Sequence, residues 1–313
     1  MRIRSVFVSS IIIVGVFVGV VPVASTSLAI PLIVTTVRPI ALFVQQICQS
    51  DCEVISLIPA GVNEHSFELT PKDIVKAKSA KGVVAIGFGF DDRILKPIVS
   101  PSPDIIMFKF EGSVQARRWR VTGVSRNDHD HAKHQKGGGH NHSENSIFDP
   151  HLWYDPVRLK DAIVPLVEFL GKLNPDAKFR FKANGEKADA ELTQLTSEIS
   201  KQALLWPKKP VLVLHDSLGY WQERFQLRVS AAVEGGIGHE LSTHQFGKLV
   251  KQSKKDSQIS AILTERLDGS TKNLGRELGV DVLLVDFSCS GDKKSYSDWM
   301  RSMSQVLVRA GSR

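Results

Sequence analysis

Histidine is the residue type in this chain that most clearly suggests chemistry. Ten histidines are present among 313 residues, and neutral imidazole is a preferred ligand of zinc and related metals. Three of them, His65, His151 and His215, lie where a predicted strand gives way to a loop. Ligands of open α/β sheets bind beyond the carboxyl ends of the strands, so these three side chains could face one cleft. A hydrogen-bonded structural histidine is the alternative for each one alone, but their shared placement favours a metal site.

Three imidazole nitrogens leave one position open in the tetrahedral geometry that zinc accepts, and a carboxylate or water can fill it. Asp286 follows a predicted strand, and Glu64 adjoins the first of the three histidines. Either carboxylate could instead be solvated, so the fourth ligand stays open between Glu64, Asp286 and water. Asp155 and Asp216 could hydrogen-bond the second ring nitrogen of a ligand histidine. Asp155 precedes a proline and could equally cap a helix.

Residues 125–146 differ in kind from the rest of the chain, because polar residues and glycines replace the apolar pattern. This composition is typical of a flexible insertion that collects metal weakly. Glycines at 137–139 argue against a fixed coordination geometry, and a solvated loop without a metal role is the alternative. Its metal-ligating residues are His129, His131, His134, His140 and His142, with Asp128, Asp130 and Glu144.

Only three cysteines occur, Cys48, Cys52 and Cys289. If the protein is exported to an oxidising compartment, the first two could form a short-loop disulfide. A metal bound by Cys48 and Cys52 is the competing interpretation, but no second ligand pair lies nearby. Cys289 is then left without a disulfide partner.

Short apolar runs alternate with amphipathic stretches through both halves of the chain. This βαβα order predicts mostly parallel sheets covered by helices, arranged as two similar α/β lobes, with one large domain as the alternative. Strands are predicted at 32–36, 53–58, 83–86 and 105–108, and again at 210–214, 258–264 and 280–285. Helices are predicted to begin at Pro39 and Pro71 and near Ser217, Ser242 and Ser270, with a last helix at 297–308.

A long helix is predicted between the two halves, over residues 174–205. Asn174 can cap it, and the apolar residues Ala188, Leu192, Leu195, Ile199 and Ala203 recur at three- and four-residue steps. At about 1.5 Å per residue such a helix spans roughly 45 Å. Its length favours a strut that connects the lobes over an ordinary surface helix.

The first residues predict export. Two arginines precede an apolar run, and small residues follow near position 29, so residues 1–29 are interpreted as a cleaved signal peptide, with a retained membrane anchor as the alternative. The predicted organisation is then a first lobe at 30–173, a linking helix at 174–206 and a second lobe at 207–313. The formal charge of +7 falls to +5 without Arg2 and Arg4 and is spread along the chain, so nucleic acid is not an expected partner.

Four motifs together resemble the metal-specific solute-binding proteins of bacterial ABC importers, and most closely their periplasmic zinc-binding ZnuA type. They are IPAGVNEH at 58–65, TPKD at 70–73, DPHLW at 149–153 and HDSLGY at 215–220. The resemblance implies two α/β lobes joined by one long rigid helix, with a metal ion held between them. It also implies a periplasmic, monomeric protein that delivers its metal to a membrane permease, and it assigns ligand roles to His65, His151 and His215.

The resemblance bears on the choice of metal as well. Manganese-binding relatives tend to carry glutamate at the position of His215, so a histidine there favours Zn²⁺. A manganese or iron binder is the nearest alternative. Some zinc-type relatives carry a disulfide in the second lobe, which Cys289 alone cannot form.

A secreted zinc hydrolase is a more distant alternative, because three histidines with an open fourth position also activate water. No His-Glu-x-x-His helix is present to supply the general base, and the two-lobe pattern suits a binding protein. We therefore expect a protein that is not an enzyme.

Overall fold

The computed structural model of the protein describes residues 30–62, 64, 67–118, 148–214, 216–232, 246–247, 249–251, 253, 259–292 and 294–311. Its first half forms a four-stranded sheet in the order β2-β1-β3-β4, with all three neighbouring pairs parallel. The strands are β1 (Leu32–Thr35), β2 (Glu53–Ser56), β3 (Gly82–Ala85) and β4 (Ile106–Lys109). All four were predicted from the sequence.

Five helices accompany this sheet: α1 (Arg38–Cys48), α2 (Pro71–Lys78), α3 (Asp92–Val99), α4 (Pro156–Asp161) and α5 (Ile163–Leu173). The start of α2 is as the sequence predicts. The Thr70 hydroxyl accepts from the Asp73 amide at 3.3 Å, and the Asp73 carboxylate accepts from the Thr70 amide at 2.9 Å. This reciprocal cap satisfies amides that the first turn of a helix leaves free.

The second half repeats the plan with a parallel sheet in the order β6-β5-β7-β8. Its strands are β5 (Val211–Val213), β6 (Val229–Ala232), β7 (Ala261–Thr264) and β8 (Asp281–Leu284). Its described helices include α7 (Gly219–Phe225), α8 (Gly269–Leu278) and α9 (Tyr296–Gly311). The sequence did not predict β6, because its small residues VSAA give no strong strand signal. The helix predicted near Ser242 lies outside the described residues.

The long helix, α6, covers Lys178–Ala203. Its 26 residues span about 39 Å at 1.5 Å per residue. A 3-10 turn at Pro175–Ala177 leads into it, so the helical segment starts at Pro175 as predicted. The predicted cap is wrong, because the side-chain amide of Asn174 donates to the Asp51 carbonyl at 3.1 Å instead of capping the helix. The predicted apolar face is confirmed at Ala188, Leu192, Leu195 and Ile199, which are buried, whereas Ala203 at the end of the helix is half-buried.

Helix α6 packs against helices of both halves. In the first half, the side-chain amide of Asn184 donates to the Ile47 carbonyl at 3.0 Å. In the second, the Arg301 guanidinium in α9 donates to Glu198 at 2.8 Å. One apolar core runs from the first sheet along α6 to α7 and α9. The expected α/β architecture, with two parallel-sheet lobes and a long helix joining them, is therefore confirmed.

The predicted disulfide between Cys48 and Cys52 is not formed in the structure. Both residues are buried free thiols, as is Cys289. A hydrogen bond to Cys52 raises the pKa of the Cys48 thiol, and burial and the Cys52 charge act in the same direction. Cys48 ends α1 and Cys52 precedes β2, where both side chains fill apolar core as small residues.

Within the described part of the chain, no helix is both long and apolar enough to cross a membrane. The predicted signal peptide at 1–29 lies outside that part.

Candidate metal site

His151 is the best-defined residue of the candidate site. It precedes a 3-10 turn, Leu152–Tyr154, and is fully buried. Its ring packs edge-on against Trp153, with 5.1 Å between ring centroids. The turn is also held from the second lobe, because Trp221 donates to the Tyr154 carbonyl at 2.9 Å and Tyr296 donates to the Trp153 carbonyl at 2.8 Å. The backbone that carries His151 is thus fixed by both halves of the molecule.

Asp149 sets the orientation of the His151 ring. Its Oδ1 accepts from the His151 amide at 3.0 Å and lies 2.8 Å from Nδ1. A carboxylate can only accept, so Nδ1 carries a proton, and Nε2, which faces Glu64, is the nitrogen that can bind a metal. Burial opposes ionisation of Asp149, but the hydrogen bond and charge of His151, with the charge of Arg117, hold its pKa below the usual range.

Glu64 lies on the other side of the same ring. Its Oε1 is 3.6 Å from His151 Nε2, and the residue is only 8% exposed. Ligand bonds of about 2.0 to 2.2 Å at tetrahedral angles place a nitrogen and an oxygen about 3.3 to 3.5 Å apart. The gap of 3.6 Å between His151 and Glu64 is slightly wider than this and close to the spacing of two ligands on one zinc ion.

The charges around His151 favour a cation. Burial disfavours the charged imidazolium, but hydrogen bonds and charge from Asp149 and Glu64 outweigh it and raise the pKa of His151 to about 9. A buried ring that two carboxylates hold in its cationic form marks a place where a metal ion can replace the proton.

A second-lobe carboxylate, Glu265, lies directly after β7 and faces the same region. Its Oε1 accepts from the Ser288 amide at 2.7 Å and from the Ser288 hydroxyl. Its Oε2 is buried and has no hydrogen-bond partner among the described residues. Burial raises the pKa of Glu265, the hydrogen bonds from Ser288 oppose this, and the charges of Asp286 and Glu64 raise it further.

Ser288 also joins the two lobes next to the site, because its hydroxyl accepts from the Gly61 amide at 2.8 Å. Tyr154 makes a second such contact, donating to the Phe287 carbonyl at 2.7 Å. The loop that carries Glu64 and the loop after β8 are therefore in direct contact.

Asp286, the second predicted carboxylate ligand, is engaged in its own loop. Its Oδ1 accepts from the Ser290 amide at 2.6 Å and the Ser290 hydroxyl at 2.8 Å, while Oδ2 accepts from the Gly291 amide at 3.2 Å. Within the described ranges, no three or more histidine, cysteine, aspartate or glutamate residues form a group that could hold a metal ion.

Several predicted site residues fall outside the described part of the chain. His65 and His215 are among them, as is the whole histidine-rich tract, with His129, His131, His134, His140 and His142. Described parts of the chain nevertheless lie next to both of these histidines in sequence. His65 follows Glu64, and His215 comes two residues after β5, the strand beside β7.

The orienting role that the sequence offered to Asp155 belongs instead to Asp149. Asp155 caps α4, accepting from the Val157 amide at 3.0 Å, and its carboxylate pairs with Arg158 and Arg224. Asp149 and Glu265 were both missed as functional residues. Asp149 stands two residues before His151, and Glu265 follows a predicted strand as Asp286 does, so the strand-end rule applied to every acidic residue would have found Glu265.

Two parallel α/β lobes joined by a long helix, with a buried imidazole and carboxylates where the lobes meet, define a two-lobed metal-site protein of the solute-binding class. The sequence model of the family described as "ZnuA: Zinc-uptake complex component A periplasmic" matches residues 33–310. The chain belongs to this family, which comprises solute-binding components of transport systems and not enzymes, as expected.

Individual relatives agree with this assignment. The zinc-binding protein AdcA of Streptococcus pyogenes serotype M3 is 30% identical over 263 residues, covering 81% of this chain and 49% of that protein. A crystal structure of ZnuA aligns over 90% of this chain and 99% of its own, with a TM-score of 0.72 and 20% identity. The solute-binding protein FpvC of Pseudomonas aeruginosa, in complex with Mn²⁺, aligns over 90% and 99% with a TM-score of 0.71 and 24% identity.

The match spans only part of the length of some curated relatives. It spans about half of AdcA, and 65% of the high-affinity zinc-uptake protein ZnuA of Yersinia pestis, to which it is 26% identical over 213 residues. At these identities the structural likenesses establish the fold.

Proposed function

We propose that the protein captures Zn²⁺ with high affinity in the periplasm and delivers it, as a monomer, to the membrane permease of an ABC importer. Family membership supports metal capture for import as the general role. The observation that carries the proposal is the arrangement around His151: Nδ1 is held by Asp149, and Nε2 lies 3.6 Å from Glu64 Oε1. That spacing matches two neighbouring ligands of one metal ion.

We assign the tight site to His65, His151 and His215, with Glu64 as the fourth ligand. His151 and Glu64 come from the first lobe, and His65 adjoins Glu64 in sequence. We expect His215 to supply its imidazole from the second lobe, because it follows β5 in the sequence and parallel strands present their carboxyl ends at one edge of the sheet. Asp286 is the alternative carboxylate, although three hydrogen bonds from its own loop already occupy it.

Zinc is favoured over manganese by the chemistry of these donors. Three imidazoles and one carboxylate suit a borderline-soft tetrahedral ion, whereas manganese prefers more oxygen ligands. A manganese-binding protein is the second candidate, because the similar fold of FpvC is known in complex with Mn²⁺. Glu265 and Asp286 could supply the additional oxygen donors that manganese requires.

The histidine-rich tract at 125–146 is proposed as an accessory collector of metal, separate from the tight site. Deletion of residues 127–144 should lower the number of zinc ions bound per chain while one tight site remains. Loss of the tight site in the deletion protein would contradict this separation.

Competitive titration of the metal-free protein with zinc and manganese is the decisive experiment. We expect one tight zinc site per chain that a large excess of manganese does not empty. His65→Ala and His215→Ala should each abolish tight binding, and His244→Ala is the matched control, since His244 is not assigned to the site. Wild-type affinity in both ligand variants would refute the assignment, and preferential manganese binding would replace zinc as the cargo.

A further inference from the structure

We propose that Arg117 is a positioning residue for the metal site, which couples the second lobe to the orientation of His151. This inference rests on the proposed function, since it concerns how the same site is held in its binding geometry. Arg117 precedes the histidine-rich tract in the sequence and is not one of the metal ligands assigned above.

The first half of the coupling is the ion pair between Arg117 and Asp149. The Arg117 Nη1 donates to Asp149 Oδ2 at 2.6 Å, with the two side chains 12% and 1% exposed. The other oxygen of the same carboxylate holds His151 Nδ1. The main chain adds a further link, because the Asp149 amide donates to the Arg117 carbonyl at 3.0 Å. Arg117 therefore fixes the plane of the carboxylate that orients the imidazole.

The second half of the coupling is made by α7, the helix that begins four residues after His215. The Tyr220 hydroxyl donates to the Asp149 carbonyl at 2.7 Å and accepts from the Arg117 amide at 3.3 Å. Tyr220 thus holds the backbone of both members of the ion pair from the opposite lobe. Its ring also lies under the guanidinium of Arg117, 5.8 Å from centroid to Cζ.

Gly219 makes room for this arrangement. A Cβ atom at position 219 would lie 1.6 Å from Arg117 Nη1, 2.4 Å from its Cζ and 2.8 Å from Asp149 Oδ2. The Arg117 guanidinium therefore occupies the space that any larger residue at 219 would need. The clash involves the flexible end of a side chain, so alanine at 219 would displace Arg117 from Asp149 before it disturbed the backbone.

The residues after His215 and those before His151 consequently form one connected unit. Asp149 accepts a hydrogen bond from Arg117 on its side chain and one from Tyr220 on its carbonyl. Its other carboxylate oxygen holds the His151 ring, so these contacts also restrict the orientation of the ring. A change in the relative placement of the lobes would move Tyr220 and Arg117 together and loosen the ring. The geometry gives the site a means to bind metal most tightly when both lobes are in contact.

Arg117→Gln tests the proposal, with Arg118→Gln as the matched control. Arg118 carries the same charge, neighbours Arg117 and is exposed, with no contact to Asp149 given by the structure. Loss of the carboxylate that hydrogen-bonds a ligand histidine typically lowers metal affinity roughly 10- to 100-fold. Arg117 acts on His151 only through that carboxylate, so we expect Arg117→Gln to lower zinc affinity by about 10-fold. Arg118→Gln should bind zinc as the wild type does, and Arg117→Lys should restore part of the affinity.

A second readout does not depend on zinc. Nitrogen NMR of His151 in the metal-free protein should show altered ring signals in Arg117→Gln and unaltered ones in Arg118→Gln. Unchanged His151 signals in Arg117→Gln would overturn the positioning role. Failure of the wild type to bind zinc would refute the proposed function alone, because the NMR comparison would still decide the role of Arg117.

A double-mutant cycle tests the part of Gly219. Gly219→Ala should by itself weaken zinc binding to a similar degree as Arg117→Gln, because it expels the guanidinium. In the Arg117→Gln background the same alanine should cost much less, so that the two losses are less than additive. Fully additive losses would show that Gly219 and Arg117 act separately and would overturn the coupling.

Discussion

The two lobes differ in how far their candidate ligands already have the geometry that metal binding requires. In the first lobe, His151 is fully buried, its ring is fixed by Asp149, and Glu64 already lies at a ligand-to-ligand distance from it. In the second lobe, Asp286 is bonded to its own loop and Glu265 holds one oxygen on Ser288 while the other is buried without a described partner. Under the proposed assignment, the first lobe presents a formed half-site, whereas the described carboxylates of the second lobe must rearrange before they can bind the metal.

This difference indicates that the two lobes contribute to metal binding in different ways. A ligand held in its bound orientation loses little conformational freedom when metal arrives, so the first lobe favours affinity. The carboxylates of the second lobe add negative charge around the cleft, which attracts a cation even where they do not bind it. If this division is correct, removal of a carboxylate should have unequal effects on zinc affinity in the two lobes.

The largest expected effect comes from His151→Ala, which removes a donor from the formed half-site. We expect tight zinc binding to be lost, as measured by competition with a chromophoric chelator. Asp286→Asn is the comparison in the second lobe and should retain a tight site. The reverse result, with tight binding kept in His151→Ala and lost in Asp286→Asn, would invert the roles of the lobes.

Glu64→Gln and Glu265→Gln make the same chemical change on either side of the cleft. Glu64→Gln should lower zinc affinity by more than the roughly 10- to 100-fold that an outer partner costs, because it removes a charged ligand. Glu265→Gln should lower it by about 10-fold or less, since it removes only a nearby charge. X-ray absorption of the zinc-loaded variants should show one oxygen donor fewer in Glu64→Gln alone; loss of that donor in Glu265→Gln would move the fourth ligand to the second lobe.

The free energy of unfolding of the metal-free protein should fall with rising pH, because His151 in the first lobe loses its proton. The pKa of His151 is raised in the folded state to about 9, above its ordinary value of 6.5. The resulting stabilisation is complete below pH 6.5 and is lost as pH rises towards 9, by roughly 1.4 kcal/mol per pH unit. Chemical denaturation across this range should show the decline in the wild type and in Asp286→Asn, but not in His151→Ala. An equal slope in all three proteins would contradict it.

The sequence predicted much of the fold but only part of the candidate site. The strands β1 to β4 and the apolar face of α6 follow from period and composition, and the strand-end rule identified His151 and Asp286. The rule could not distinguish a carboxylate engaged by its own loop, such as Asp286, from one whose second oxygen has no partner among the described residues, such as Glu265. Arg117 gave no signal at all, because its role depends on a contact with Gly219, which is 102 positions further along the chain.

Packing inside each lobe should show a smaller contrast of the same kind. In α8 of the second lobe, a Cβ at Gly275 would lie 2.6 Å from Val282 Cγ2 and 3.1 Å from the backbone carbonyl of Val280. At Gly185, where α6 crosses α5, it would meet only side-chain methyl groups, at 2.9 Å from Val167 and 3.1 Å from Ile163. The carbonyl near Gly275 belongs to Val280, which directly precedes β8 and cannot move easily. The methyl groups near Gly185 can shift by a few tenths of an ångström.

Alanine gains about 1 kcal/mol over glycine in a helix, and overpacking costs about 1 to 3 kcal/mol, so the balance decides the sign. We expect Gly275→Ala to destabilise the metal-free protein by about 1 to 2 kcal/mol and Gly185→Ala by less than about 1 kcal/mol. Gly269→Ala, at the start of α8, is the control and should be neutral or slightly stabilising, because no described atom beyond its own helix and chain neighbours lies within 4 Å of the added Cβ. Urea unfolding measures all three, and a larger loss for Gly185→Ala than for Gly275→Ala would mean that the α5 and α6 contact is the more rigid of the two.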